Sequence, residues 1–210
     1  MSDAAKRIFD VIAAGCGVVL LLPLFALTAL IIKITSSGPI FFRQTRIGRD
    51  ERPFMIYKFR TMVADAPSLG PQITLGADPR ITPFGAILRR YKIDELPQLF
   101  NVIAGEMSLV GPRPEAPDYV ALYTPAQRRE IFRVRPGITD NASILFRNES
   151  ELLGRAENPL ECYVNVILPR KCALYLDYVR NRSFLGDIAI ICQTILVILN
   201  RRGRNHDQPL

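Results

Sequence analysis

The stretch VIAAGCGVVLLLPLFALTALII, residues 11–32, runs for 22 residues without a charge. As a helix it would measure about 33 Å, enough to cross the hydrocarbon core of a bilayer. Two features complicate a straight crossing. Pro23 stands just past the middle, where its missing N–H frees the carbonyl of Val19 and predicts a kink or break. Basic residues also flank both ends, Lys6 and Arg7 before, and Lys33, Arg43, Arg46 and Arg49 after. Positive flanks prefer the cytoplasm, so both ends are asked to stay on one side. Pattern alone leaves three arrangements open: a straight crossing, a re-entrant hairpin bent at Pro23, and a buried core helix. The apolar run exceeds the roughly 7 to 15 residues of a cleaved signal, which argues against a leader.

Outside this segment the chain reads as one polar domain. Its 210 residues are 49% hydrophobic, with 27 Lys and Arg against 20 acids and a net charge of +7. That balance favours anionic partners, whether nucleic acid, phosphorylated substrate or acidic lipid, without choosing among them. Cys16, Cys162, Cys172 and Cys192 are widely spaced and His206 is the single histidine, so neither a zinc site nor a disulfide framework is suggested. Ile40 to Thr45 and Phe54 to Phe59 read as two strands of a hairpin around RIGRDERP. Ala66 to Pro83 reads as a long, proline-punctuated loop, and loops of that length are commonly functional. Helical patterns follow in FGAILRRYK, ELPQLFNVI, TPAQRREIF, NPLECYVNVIL, RKCALYLDYVRN and SFLGDIAIICQTILVILNRRG, with starts at Asn158 before Pro159 and at Ser183. In the last of these, Asp187, Gln193 and Asn200 interrupt the apolar spacing, so it is too polar to span and packs on the core or the membrane interface.

KIDELPQLF, residues 92–100, sets Asp94 and Glu95 side by side behind Arg89, Arg90 and Lys92. A helix beginning near Asp94 would put both acids in its first turn and Pro97 where a missing N–H costs little. The helix N-terminus would hold the carboxylates ionised and leave amides for a phosphate. Ionised carboxylates suit nucleophilic attack on phosphorus or coordination of magnesium. Arg113, between two prolines in GPRPE, offers a stiffly mounted guanidinium for bidentate phosphate binding. The plainer reading makes Asp94 an N-cap and Glu95 first-turn charge complementation.

YKFRTM (57–62), IDELPQLFNVIAGEMSLVGPRPE (93–115) and RPGIT (135–139) occur in this order behind a proline-broken apolar N-terminus. The chain thereby resembles the bacterial sugar transferases called monotopic phosphoglycosyl transferases, from about Lys6 to Gly203. The resemblance implies a mostly helical α+β fold: a re-entrant N-terminal membrane helix over residues 1–36, and a small cytosolic catalytic domain over 37–210. That domain would carry a short β-hairpin and interfacial amphipathic helices, including those around Arg89 and at the C-terminus. The implied reaction moves a phospho-sugar from a UDP-sugar to undecaprenyl phosphate at the cytoplasmic face of the bacterial inner membrane and releases UMP. Asp94 would be the nucleophile of a covalent aspartyl intermediate, and Glu95 would help hold Mg2+ or prepare the lipid phosphate. Arg113 would bind phosphate, with Arg89 and Lys58 in the same cationic pocket. Membrane lipid is an implied partner, a homodimer is compatible with the family, and nucleic acid is not expected.

Two departures from the family pattern stand out. Leu22 precedes Pro23 where relatives often carry Ser, and Asp140 follows PGIT where many carry Gly. The NASILFRNESELL stretch after it is where sugar or nucleotide contacts are expected, with Arg147 and Asn148 as candidates. Three rival functions are a membrane adaptor that grips anionic lipid without catalysis, a nucleic-acid binder using RREIFRVR, and a metal-dependent hydrolase releasing free sugar phosphate.

Overall fold

The computed structural model describes residues 3–199 apart from 71, 72, 75 and 77, so His206, Asn200 and Gly203 lie outside the described residues, as do four positions of the Ala66 to Pro83 loop. Helix α1 (Asp3–Thr35) leads, followed by strands β1 (Phe41–Ile47) and β2 (Pro53–Phe59). Then come α2 (Pro83–Arg90), α3 (Gln98–Ala104), β3 (Ser108–Val110), α4 (Pro117–Val120), α5 (Pro125–Ile131) and β4 (Gly137–Thr139). Helices α6 (Asn141–Leu145), α7 (Glu149–Arg155), α8 (Pro159–Cys162), α9 (Leu168–Asn181) and α10 (Phe184–Leu199) complete the order, with a π turn, Tyr163–Ile167, between α8 and α9. The architecture is mostly helical with a small amount of sheet, as the α+β reading expects.

The hairpin forms where its alternating sequence places it, with Phe41 opposite Phe59 and Ile47 opposite Pro53. It runs two residues beyond the expected Thr45. A second pair, β3 and β4, is parallel, with Ser108 opposite Gly137 and Val110 opposite Thr139. Sequence reasoning gives no sign of it, because three-residue strands carry no readable alternation. Its geometry demands glycine: a Cβ on Gly137 would lie 2.1 Å from the amide nitrogen of Gly111. The loop carrying Arg113 therefore crosses backbone to backbone over the start of β4.

α1 is one helical span, Asp3–Thr35, with Pro23 inside it. Proline removes one N–H and so orphans the carbonyl of Val19, but packing holds the helix on both sides of it. Asp10 and Ala14 are buried before Pro23, and Phe25, Thr28 and Ile32 after it. Phe25 meets Phe59 edge-on at 5.5 Å and Phe100 at 5.8 Å. The opposite face is bare: Val19 is 74% exposed and Leu20 80%. Only 17% of the most apolar window is buried, which rules out a core helix, and α1 is long and apolar enough to cross a membrane.

Both ends of α1 are tied to the polar domain. At the N-terminal end Lys6 Nζ lies 2.5 Å from Asp187 Oδ2, and Ser108 donates to Asp10 Oδ2 at 2.7 Å. The Tyr178 hydroxyl donates to Asp187 Oδ1 at 2.9 Å, so the residue read as a polar interruption of α10 is its buried anchor. Arg7 donates to the carbonyls of Val102 and Ile103 in the last turn of α3. At the other end Arg60 Nη2 donates to the Ser36 carbonyl at 2.9 Å and to its hydroxyl at 2.7 Å. Buried charges need such partners, since an unpaired ion in the interior costs several kcal/mol.

Candidate active site

Lys92 takes a left-handed conformation (φ 56°), and the chain then makes a 3₁₀ turn, Ile93–Glu95, that carries both acids. The α-helix starts only at Gln98, four residues later than the sequence suggests. Pro97 has no N–H to return to the Ile93 carbonyl, which accepts from Leu96 N at 3.2 Å instead, a 3₁₀ bond. The acids thus sit on a lead-in turn ahead of α3, and the helix-terminus argument for their ionisation does not apply. Side-chain cations supply that role.

Glu95 is clasped from two sides. Lys58 Nζ, near the end of β2, is 2.8 Å from its Oε1, and Arg113 reaches both carboxylate oxygens, with Nη1 to Oε2 at 3.2 Å. Burial pushes the Glu95 carboxyl up, but Arg113, Lys58 and Lys92 outweigh it and hold the group well below the usual carboxylate range. Glu95 in turn holds Arg113 firmly protonated, while burial lowers Lys58. Asp94 differs from its neighbour. It is 8% exposed, and its Oδ1 has no hydrogen-bond partner. Burial and then the adjacent Glu95 charge raise its carboxyl, against the pull of Lys58, Lys92 and Arg89. Two adjacent acids pushed in opposite directions have different tasks: one is a fixed counter-ion, the other a carboxylate with a free oxygen.

Arg89 contacts neither acid directly. Its Nε donates to Thr61 Oγ1 at 2.8 Å and its Nη1 to Thr74 Oγ1 at 3.1 Å, so it faces Asp94 as a nearby charge. Thr82 caps α2 by accepting from Gly85 N at 3.0 Å. A Cβ on Gly85 would fall 2.0 Å from the Thr61 carbonyl oxygen, so glycine lets α2 approach the end of β2 closely enough to deliver Arg89. Arg147 and Asn148 enter from the α6–α7 corner. All seven predicted residues line one cleft of about 2200 Å³. Eleven lysines and arginines line it against Asp94, Glu95, Glu149 and Glu151, so it is built for a multiply charged anion. Its other arm is apolar, running between α1 (Phe9, Ala13, Gly17, Leu21) and α10 (Ile191, Ile195).

Among the described residues no group of three or more His, Cys, Asp or Glu could hold a metal ion. Magnesium asks for less, since it keeps waters and takes one or two carboxylates together with substrate phosphates. Asp94, a cleft-lining carboxylate that no cation among the described residues clasps directly, fits that demand. Glu95 fits it only by releasing one of its two cations. Sequence reasoning missed the buried cluster behind Arg113, where Glu115 accepts from the Tyr163 hydroxyl at 3.1 Å and lies 3.6 Å from Lys171 Nζ. The visible sign was Glu115 itself, the acid that closes GPRPE.

The family model described as bacterial sugar transferase matches residues 1–201. The chain belongs to the bacterial sugar transferase family. It is 36% identical over 200 residues to the UDP-N-acetylgalactosamine-undecaprenyl-phosphate N-acetylgalactosaminephosphotransferase of Aeromonas hydrophila, covering 94% of this chain and 44% of that one. Identity is 43% over 196 residues to the undecaprenyl-phosphate glucose phosphotransferase of Komagataeibacter xylinus, covering 90% and 35%. It is 40% over 202 residues to the UDP-glucose:undecaprenyl-phosphate glucose-1-phosphate transferase of Caulobacter vibrioides, covering 94% and 70%. The chain spans less than half the length of the first two of these relatives. Their names divide between two sugars at comparable identity, so similarity to them does not select a donor.

Proposed function

We propose that this family member transfers a phospho-sugar from a UDP-sugar to undecaprenyl phosphate and releases UMP. The observation that carries the reading is the contrast inside the acid pair: Glu95 is locked between Arg113 and Lys58, while Asp94, which lines the same cationic cleft, has no ion-pair or hydrogen-bond clasp among the described residues and keeps a buried, unpartnered Oδ1. In the first step the Asp94 carboxylate attacks the sugar-bearing phosphorus, the bond to the UMP oxygen breaks, and UMP departs with that electron pair. In the second, an oxygen of the lipid phosphate attacks the same phosphorus and Asp94 leaves, giving a polyprenol diphosphate sugar. Arg113, Lys58 and Arg89 supply the positive field in which charge shifts from one oxygen to the other. Magnesium, held by Asp94 and Glu95 together with diphosphate oxygens, would neutralise further phosphate charge. Arg147 and Asn148 would contact the donor from the opposite corner.

The test is UMP release by protein in nanodiscs with magnesium, over a panel of UDP-sugars, with and without undecaprenyl phosphate. Acceptor-dependent UMP from one donor is the expected result. Release that ignores the acceptor would mean hydrolysis, and none from any donor in folded protein would overturn the reading in favour of an adaptor.

The membrane topology belongs to the same proposal. A helix of 33 residues is about 50 Å long, yet Lys6 and Ser36, at its two ends, both bond to the one polar domain. That domain lies on one side of a bilayer, which supports a re-entrant segment over residues 1–36 with both flanks cytoplasmic and residues 37–210 forming the catalytic domain at the inner membrane. Pro23 would be the point where the helix bends when embedded. Single cysteines at Ala4 and Ser37, in a background without the four native ones, should both react with an impermeant maleimide in inverted vesicles and neither in intact cells. Reaction of the two from opposite sides would establish a straight crossing.

A further inference from the structure

Behind Arg113 lies a buried charge cluster that the transfer steps do not use. Lys171, on α9, is 5% exposed. Its Nζ sits 2.5 Å from Glu149 Oε2, 3.6 Å from Glu115 Oε1 and 4.9 Å from the centroid of the Tyr163 ring. Glu115 also accepts from the Tyr163 hydroxyl at 3.1 Å and the Tyr175 hydroxyl at 3.5 Å, and Arg46 Nη1 is 3.9 Å from it. The π turn Tyr163–Ile167 immediately precedes α9 and shifts the helix register ahead of Lys171, the kind of local widening that recurs at functional sites.

The two acids that Lys171 joins stand beside residues of the cleft: Glu149 lines it, and Glu115 follows the lining residue Arg113 by two positions. Glu149 follows Arg147 and Asn148 directly and opens α7. α7 also contacts the loop before α2, since Gly76 N donates to the Ser150 carbonyl at 2.8 Å. One lysine therefore ties the segment that carries Arg113 to the α6–α7 corner. A buried ion pair is a poor device for stability, because apolar side chains of similar volume commonly serve as well. It is a good device for holding two segments in one relative position.

We propose that Lys171 is a positioning residue for donor selection: by holding Glu149 against Glu115 it places the α6–α7 corner at the distance from Arg113 that the sugar of a nucleotide diphosphate sugar fills. The inference rests on the transfer reading for its donor class, but not on turnover. It predicts that loosening the clasp weakens contacts to the sugar while leaving contacts to the nucleotide and diphosphate intact.

The experiment measures binding of UDP, UDP-glucose and UDP-N-acetylgalactosamine by calorimetry to the full chain in nanodiscs, on an Asp94→Asn background so that no reaction intervenes. Adding Glu149→Gln should raise the Kd of the preferred UDP-sugar about tenfold, as loss of a charged hydrogen bond commonly does. The Kd of UDP should move less than about twofold, and Lys171→Met should follow the same pattern with partial recovery in Lys171→Arg. Equal weakening of UDP and UDP-sugar would assign the clasp to general structure, and no change in either would remove it from the donor site. Either result overturns the proposal, as does failure of every UDP-sugar to bind. Absent UMP release from the unaltered protein, with donor binding intact, would strike the transfer reading alone. Glu149 is part-exposed, with its side chain 28% accessible, so its variant should fold even where Lys171→Met does not.

Discussion

Asp94→Asn is expected to lower UMP release by about 10⁴-fold or more while the protein stays folded, because removing a covalent nucleophile takes away the step that other groups cannot supply. The substitution keeps the shape and removes the charge. In the native protein that charge is unfavourable: Asp94 is buried beside Glu95, and its Oδ1 has no partner. Its carboxyl is raised by burial first and by Glu95 second, so a stability effect with a definite sign follows. A group whose folded pKa lies above its unfolded value adds stability below the unfolded value, and that stability is lost as pH rises through the folded one. At pH 7 to 8 the ionised acid is therefore a burden, and Asp94→Asn should melt at a higher temperature than the parent. The difference should shrink as pH falls into the carboxylate range. Loss of activity together with gain of stability is the signature of a residue kept for chemistry, and retained turnover in the variant would end the nucleophile assignment. The acid limb of the pH–rate profile should likewise be displaced upward from that of an ordinary aspartate.

Local signals in the sequence were the ones that translated into structure. The hairpin lies within two residues of its expected bounds. Asn158 caps α8 by accepting from Glu161 N at 3.2 Å, and Ser183 accepts from Gly186 N at 3.1 Å, as their side-chain chemistry suggests. Thr124 and Gln127 close a full capping box at the start of α5. Each of these depends on residues within a few positions of one another.

What sequence reasoning missed depends on distant partners. β3 and β4 pair across 29 positions, and neither strand is long enough to announce itself. Asp187 looked like a flaw in an apolar helix because its counter-ion, Lys6, stands at the other end of the chain. Lys171 looked like one more base in RKCALYLDYVRN, and nothing nearby in sequence hints that Glu115 and Glu149 meet it. The candidate site divides the same way. Asp94, Glu95, Lys58 and Arg113 were readable as a constellation through the resemblance of three motifs, but which acid is clasped and which is free is a matter of geometry. The helix-terminus argument favoured ionisation of both acids, whereas the 3₁₀ turn and the cations separate them.

Arg113→Ala should lower kcat/KM by about 10²- to 10³-fold, the usual loss when a positioned donor to developing charge is removed. The geometry makes a second effect inseparable from the first. Arg113 binds both oxygens of Glu95, and without it Lys58 is, among the described residues, the one side chain left bonded to that buried carboxylate. Breaking a buried pair by removing one partner costs about 3 to 5 kcal/mol, the lower end being appropriate to a guanidinium with a quarter of its side chain exposed. Glu95 is held well below its ordinary value, so it contributes stability above its unfolded pKa that is lost as pH falls through the folded one. Removing Arg113 raises that folded value, and the acid-unfolding midpoint should move to higher pH. Arg113→Lys restores a charge without the planar fork, so it should recover much of the acid stability and little of the activity. That split distinguishes two roles for one residue. If kcat/KM were unchanged while the acid midpoint moved, Arg113 would be a clamp on Glu95 and nothing more. If both Lys and Ala variants lost activity equally and the midpoint stayed put, the clasp on Glu95 would be incidental, and phosphate recognition through the fork would be the whole of its contribution.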